Sequence, residues 1–253
     1  MLLVDVHSHI DVFQGEELRK VISNSIDAGV KVIINNGIDK DSNRKTIELS
    51  KRYNIVKPAL GLHPELIEKF QKNFIEEEID FIRNQKSRII AIGEIGLDYH
   101  WIKDKDLRDK QIEMFKEFLL LARELKKPII VHSRDAESDT IKIIEEFQFR
   151  DVIMHCFGGD LELVDRIIKN NWYVSIPPII CKSSHFQNIV KKVTLKNILT
   201  ETDAPWLSPY KDKKNEPAFV FETIKKIAEI KGMTTEDVAN NIFLNYQRLF
   251  LKE

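Results

Sequence analysis

Apolar positions along the chain follow two alternating rhythms. Short β-branched runs, the pattern of strands buried on both faces, recur between longer stretches whose apolar residues fall three and four apart, the pattern of one-sided helices. The runs at 2–9, 30–35, 55–60, 88–93, 128–131, 151–155, 171–176 and 196–200 predict eight strands. Among the intervening helices the clearest spans Asp106 to Leu125, with Phe115, Phe118, Leu119 and Ala122 on one face. A second follows Gly158-Gly159, with Asp160 as its cap and Leu161, Val164, Ile167 and Ile168 as its stripe. A third opens at Thr234-Thr235-Glu236-Asp237 and carries Val238, Ile242, Leu249 and Phe250. The plain reading of all three faces is ordinary core.

Eight strands in strict alternation with helices predict an α/β fold, a (β/α)8 TIM barrel, although an open doubly wound sheet satisfies the same alternation. A chain of 253 residues is the usual size for one such barrel, and no repeat or linker interrupts it, so a single domain over 1–253 is expected. Hydrophobic residues at 43% and charged residues at 31% mark a globular protein rather than a disordered one. The net charge of −1 excludes a global basic field of the kind that grips duplex nucleic acid, so any nucleic-acid contact must be local. Two cysteines, Cys156 and Cys181, form neither a disulfide framework nor a Cys-x-x-Cys pair, which fits a reducing compartment. With no basic and apolar leader, and no run near the roughly 18 apolar residues of a membrane span, the expected location is cytoplasmic and no membrane partner is expected. A Gly-x-Gly-x-x-Gly turn after strand 1 and a phosphate loop ending in Gly-Lys-Ser/Thr are both missing, which disfavours nucleotide cofactors.

Candidate chemistry lies at the strand ends. In Val4-Asp5-Val6-His7-Ser8-His9 the two-residue period of a strand puts Asp5, His7 and His9 on one side, so two imidazoles aim at a common spot. A lone His-x-His is weak. Yet a barrel's active site lies at the C-terminal ends of its strands, and five of the seven histidines fall there: His7, His9, His63, His132 and His155. Four imidazoles, His7, His9, His132 and His155, with two carboxylates, Glu94 and Asp203, have the composition of a site for two divalent metal ions. Glu94 can bridge ions lying about 3.5–4 Å apart, and Asp203 completes one sphere. Two such ions less two carboxylates leave a local charge of about +2, which favours phosphate oxygens over neutral amides. The mixed donor set accepts zinc, manganese, cobalt or, less readily, magnesium.

Seven ordered motifs then carry a resemblance. Asp5-Val6-His7-Ser8-His9, Gly61-Leu62-His63-Pro64, Ile92-Gly93-Glu94-Ile95-Gly96-Leu97-Asp98-Tyr99, Val131-His132-Ser133-Arg134, His155-Cys156-Phe157-Gly158-Gly159, Glu201-Thr202-Asp203-Ala204-Pro205-Trp206-Leu207 and Asn215-Glu216-Pro217 resemble the TatD-type deoxyribonucleases of the amidohydrolase superfamily. The resemblance extends to the segment at 245–250. It implies a distorted TIM barrel with a one- or two-metal centre that hydrolyses DNA phosphodiester bonds, typically as a 3′-end exonuclease on single strands. On that pattern His7 and His9 match one metal's ligands, Glu94 the bridge, His132 and His155 the second metal's ligands, and Asp203 the remaining ligand and water-orienting base. Catalytic roles therefore fall to Glu94 and Asp203. The enzyme alternative is a superfamily ester or amide hydrolase such as a D-aminoacyl-tRNA deacylase, and the alternative from another class is a non-catalytic scaffold that kept the barrel.

Three departures stand out. Ser175-Ile176-Pro177-Pro178 replaces the Ser-Gly usual after strand 7, Lys213-Lys214 stands where arginine is common, and Gly158 stands where serine is usual. None touches a proposed ligand. His63 and Arg134 are candidate substrate contacts that bind a phosphate oxygen, with loop or helix capping as the plain alternative for each. Glu201 is expected to orient a histidine, Asp98 to hold its own loop, and Asp5 to support the site from deeper in the barrel. Tyr99, Trp101, Phe157, Trp206 and Tyr210 follow strand ends, where stacking on bases competes with rim packing. The Lys211-Asp212-Lys213-Lys214 run reads first as a solvated loop and second as a contact for a strand backbone.

Overall fold

The computed structural model describes residues 1–251; Lys252 and Glu253, the end of the expected domain, lie outside the described residues. Eight strands form one sheet in chain order, β1 (Leu3–Ser8), β2 (Val30–Asn36), β3 (Val56–Leu60), β4 (Ala91–Asp98), β5 (Ile129–Arg134), β6 (Val152–Met154), β7 (Tyr173–Ile176) and β8 (Ile198–Thr200). Helices follow the strands in alternation, which makes the fold a (β/α)8 TIM barrel. Every expected strand exists. The largest difference is β4, which runs five residues beyond its expected end and carries Glu94 within the strand.

The chain packs as two compact units. One comprises Met1–Asn35, Leu49–Lys57 and the chain from Tyr173 onward. Within it β1 is buried along its whole length, and the seam between β8 and β1 is closed by hydrogen bonds from Thr200 Oγ1 to the Val4 carbonyl (2.6 Å) and from the Asp203 amide to the His7 carbonyl (2.9 Å). The loop after β1 is pinned where the Ile10 amide donates to Asn35 Oδ1 (2.6 Å) and Asn35 Nδ2 donates to Asp11 Oδ1 (3.0 Å). Helix α1 (Gly15–Asp27) follows this loop. After β8 come α8 (Val220–Lys231) and α9 (Thr235–Phe250). The Thr234 hydroxyl caps α9 as expected, and Val238, Ile242 and Leu249 are buried.

The second unit comprises Asn36–Glu48 and Pro58–Trp172. Its longest helix, α4 (Lys105–Leu125), is capped by Asp104 and buries Phe115, Phe118, Leu119 and Ala122, the expected face. Helix α6 (Leu161–Lys169) begins at Asp160, whose carboxylate accepts from the Glu162 and Leu163 amides. Val164 and Ile167 are buried there, whereas Leu161, counted in the expected stripe, is 39% exposed because it occupies the first turn.

Two glycines let the strands of this unit approach closely enough to align the site. A Cβ on Gly61 would lie 2.4 Å from the Glu94 carbonyl oxygen, and one on Gly96, whose φ of +143° already favours glycine, would lie 2.0 Å from the His132 carbonyl oxygen. Any side chain at either position would push β4 off its neighbours and move Glu94 and His132 with it. Among the described residues no helix is long and apolar enough to cross a membrane.

Candidate metal centre

Each unit carries one cluster of ligand-type side chains at the C-terminal ends of its strands. In the first, β1 carries His7, and His9 follows one residue beyond the strand's end, at the start of the next turn. Their Nε2 atoms lie 3.0 Å apart, and Asp203 Oδ1 lies 3.6 Å from the first and 3.5 Å from the second. Asp203, three residues beyond the end of β8, holds a left-handed backbone (φ +57°), a conformation that aspartate tolerates better than most residues.

Buried Asp5 braces this cluster from beneath. One carboxylate oxygen accepts the His7 amide (3.2 Å) and the Thr202 amide (2.9 Å), and the other accepts the Thr202 hydroxyl (2.5 Å). Burial raises its pKa well above the usual carboxylate range, against the lowering effect of those hydrogen bonds. The geometry is that of a support, as expected. Glu201 lies with an oxygen within 4.8 Å of a His7 ring nitrogen, while its Oε2 accepts the Ser175 hydroxyl at 2.5 Å. The Ser175 contact has no counterpart in the sequence reading.

In the second cluster three imidazoles surround one oxygen. Glu94 Oε1 lies 2.9 Å from His132 Nδ1, 3.2 Å from His63 Nε2 and 3.7 Å from His155 Nε2, and the side chain is buried. His63, read as a phosphate contact or a cap, does cap the next turn, because its Nδ1 accepts the Glu65 amide (3.2 Å). Its other nitrogen faces Glu94, so it joins the ligand cluster rather than standing apart at the mouth. Arg134 is exposed at the end of β5, its guanidinium 5.6 Å from the centre of the Trp101 ring.

Asp98 does more than hold its loop. Its Oδ1 accepts the Trp101 amide at 2.8 Å, the expected role, and its Oδ2 lies 2.9 Å from His132 Nε2. His132 is thus gripped by a carboxylate at each ring nitrogen. Burial works against its charged form, but the hydrogen bonds and charges of Asp98 and Glu94 outweigh it and raise its pKa to about 9. Burial likewise works against the Asp98 carboxylate, and the hydrogen bonds from His132 and Trp101 more than offset it, leaving its pKa lowered. The sequence held a signal for this: Glu94, Gly96 and Asp98 share strand parity, so Asp98 lies on the Glu94 side once β4 is continued past Gly96.

Asparagine at Asp98 keeps the acceptor for Trp101 but removes the charge on His132. The expected result is a His132 pKa below 9 in the metal-free protein, read by NMR titration, and metal affinity weakened about 10- to 100-fold. Unchanged values for both would reduce Asp98 to a loop anchor.

The donors fit a divalent cation. Metal–nitrogen bonds of about 2.1 Å in tetrahedral array place neighbouring ligand atoms about 3.4 Å apart. The separations of 3.0, 3.5 and 3.6 Å in the first cluster and 2.9, 3.2 and 3.7 Å in the second bracket that value. Imidazole nitrogens and carboxylate oxygens are also the right chemistry, and neither Cys156 nor Cys181 belongs to either cluster. Of the rim aromatics, Phe157 is buried as packing, whereas Trp101, Trp206 and Tyr210 are exposed. Trp206 meets the His9 ring edge-on, with centroids 5.3 Å apart.

A TIM barrel with paired histidine and carboxylate clusters at its strand ends defines a metal-dependent hydrolase. Comparison with known proteins makes the assignment more specific. The family model described as TatD related DNase matches residues 4–251, and the chain belongs to that family. It is 38% identical to an uncharacterized metal-dependent hydrolase of Methanocaldococcus jannaschii, an alignment covering 98% of this chain and 96% of that one. It is 32% identical to the human deoxyribonuclease TATDN3, over 99% of this chain and 95% of the relative. The crystal structure of YJJV, a TatD homologue from Escherichia coli, superposes with a TM-score of 0.90 at 25% identity, covering 99% of this chain and 98% of the other.

Proposed function

We propose that the protein is a deoxyribonuclease that uses two divalent ions to hydrolyse phosphodiester bonds of DNA, removing nucleotides from the 3′ end of single strands. The observation that carries this reading is the donor set itself. His7, His9 and Asp203 converge within 3.6 Å in one unit, and His132 and His155 converge on Glu94 within 3.7 Å in the other. On this reading the first three would hold one ion, and His132, His155 and Glu94 would hold the second. The family match and the human relative named a deoxyribonuclease support DNA as the substrate.

Bound divalent ions supply a nucleophilic water at neutral pH and stabilise charge on the phosphoryl oxygens. The chain supplies the rest. Asp203 Oδ1 orients the attacking water and takes its proton, since this carboxylate is the more exposed of the two proposed as ligands, at 17% against 3% for Glu94. Asp98 fixes which nitrogen of His132 faces Glu94. Arg134, exposed at the end of β5, contacts a non-bridging phosphate oxygen of the substrate.

The test is digestion of a single strand labelled at either end by the metal-loaded protein, beside a D-aminoacyl-tRNA. Stepwise loss from the 3′ end is expected. Release of free D-amino acid with the DNA intact would replace this reading with a deacylase.

A further inference from the structure

A cleft of about 400 Å³ opens between the loop after β1 and the segment before α8, entirely within the first unit. Its floor is apolar, built from Phe13, Val21 and Phe219. Its rim is polar and carries three lysines, Lys20, Lys213 and Lys214, against two glutamates, Glu17 and Glu216.

Partners on the rim decide what remains to bind a guest. Lys214 is spent on Glu17, with Nζ 2.7 Å from Oε1. Glu216 is occupied by Asn24, whose Nδ2 donates to both carboxylate oxygens at 3.1 and 3.0 Å. Lys20 and Lys213 are exposed, and neither forms an ion pair among the described residues. Neither has an acidic partner there, although Lys213 Nζ lies 5.6 Å from the centre of the Tyr210 ring, and two such cations over an apolar, partly aromatic floor match an anionic guest with a flat apolar part. A volume near 400 Å³ lies at the small-ligand end of binding pockets, the size of a single nucleotide rather than a duplex segment.

The cleft is also bolted to the candidate centre. Buried Asn215 donates Nδ2 to the Thr202 carbonyl (2.6 Å) and its amide to the Pro205 carbonyl (2.9 Å), on either side of Asp203. The His9 amide donates to the Ala204 carbonyl (2.8 Å), and Phe13 of the floor follows His9 by one short turn. The walls of the cleft are thus continuous with the chain that carries His9 and Asp203.

We propose that this cleft is a subsite for one nucleotide of a single strand away from the bond being cut, with the base on the Phe13 and Phe219 floor and the backbone phosphate on Lys20 and Lys213. The proposal rests on the reading of the protein as a DNA hydrolase and extends it from the reacting bond to how the strand is held. Nothing in the sequence reading located Lys20 or Phe219 here, and the lysine run at 211–214 reads there first as a solvated loop.

The experiment measures binding without catalysis. Fluorescence anisotropy of a short labelled single-stranded oligonucleotide is titrated with the full-length protein in chelator, at several salt concentrations, for the parent and for Lys20→Ala/Lys213→Ala. The double variant is expected to bind roughly tenfold more weakly, with its salt slope reduced by about 0.7, the contribution of one phosphate contact on a single strand. A third arm, Lys40→Ala/Lys45→Ala on the helix at Lys40–Arg52, is expected to change neither value. Equal affinity and slope in parent and cleft variant would overturn the subsite, as would a parent that binds no single strand. Loss of the hydrolase reading shows separately, as absent metal-dependent cleavage by the parent, and does not alter the binding comparison.

Discussion

Glutamine in place of Glu94 is expected to lower the proposed DNA hydrolysis by about 10³-fold or more while leaving the barrel folded. The change is nearly isosteric, so the packing of β4 between β3 and β5 is preserved. What it removes is the anionic oxygen that His63, His132 and His155 share at 3.2, 2.9 and 3.7 Å. An amide nitrogen in that position presents donors to ring nitrogens that need an acceptor. Elemental analysis should therefore find less bound metal per chain, and circular dichroism should find the parent's secondary structure. Turnover within threefold of the parent, with full metal content, would mean that Glu94 is only a hydrogen-bond hub.

Metal removal is the second large effect. A cation present at a thousand times its dissociation constant adds about 4 kcal/mol of stability, because it binds the folded chain and not the unfolded one. For a chain of this size each kcal/mol moves the melting temperature by about 2–4 °C, so chelation should lower it by roughly 8–16 °C. Replacing His7 and His9 together by alanine should abolish much of that difference, since the chelated and loaded forms then share an incomplete first cluster. A chelator-insensitive melting curve in protein whose metal content had fallen would show that the clusters add no stability through binding.

The sequence made most of this legible for definite reasons. β-branched runs and apolar stripes located all eight strands and the three clearest helices, because burial dictates those residue types wherever a strand is covered on both faces. The rule that barrel sites lie at strand ends then selected the same histidines that gather in the two clusters. β4 was less legible. The apolar run ends at Gly93, whereas β4 continues through Gly93 and Gly96 to Asp98, where neighbouring chains pass too close for a Cβ. Ending β4 early hid the parity that sets Asp98 beside His132. His63 was legible as a residue near the site but not as a neighbour of Glu94, because its placement depends on the loop beginning at Gly61, which no periodicity constrains. The bracing of Asp5 by Thr202 and the cap on Glu201 from Ser175 join β8 and its following loop to β1 and β7, and contacts so distant in the chain leave no local pattern.

The central claim is that these imidazole and carboxylate clusters hold divalent cations. Crystals of the protein grown with manganese or zinc, measured on either side of the metal's absorption edge, test it most directly. Anomalous peaks at the His7, His9 and Asp203 cluster and at the Glu94, His132 and His155 cluster are predicted, each lost from crystals of the variant lacking its histidines. Crystals that take up the metal but show peaks only elsewhere on the molecule would contradict the account.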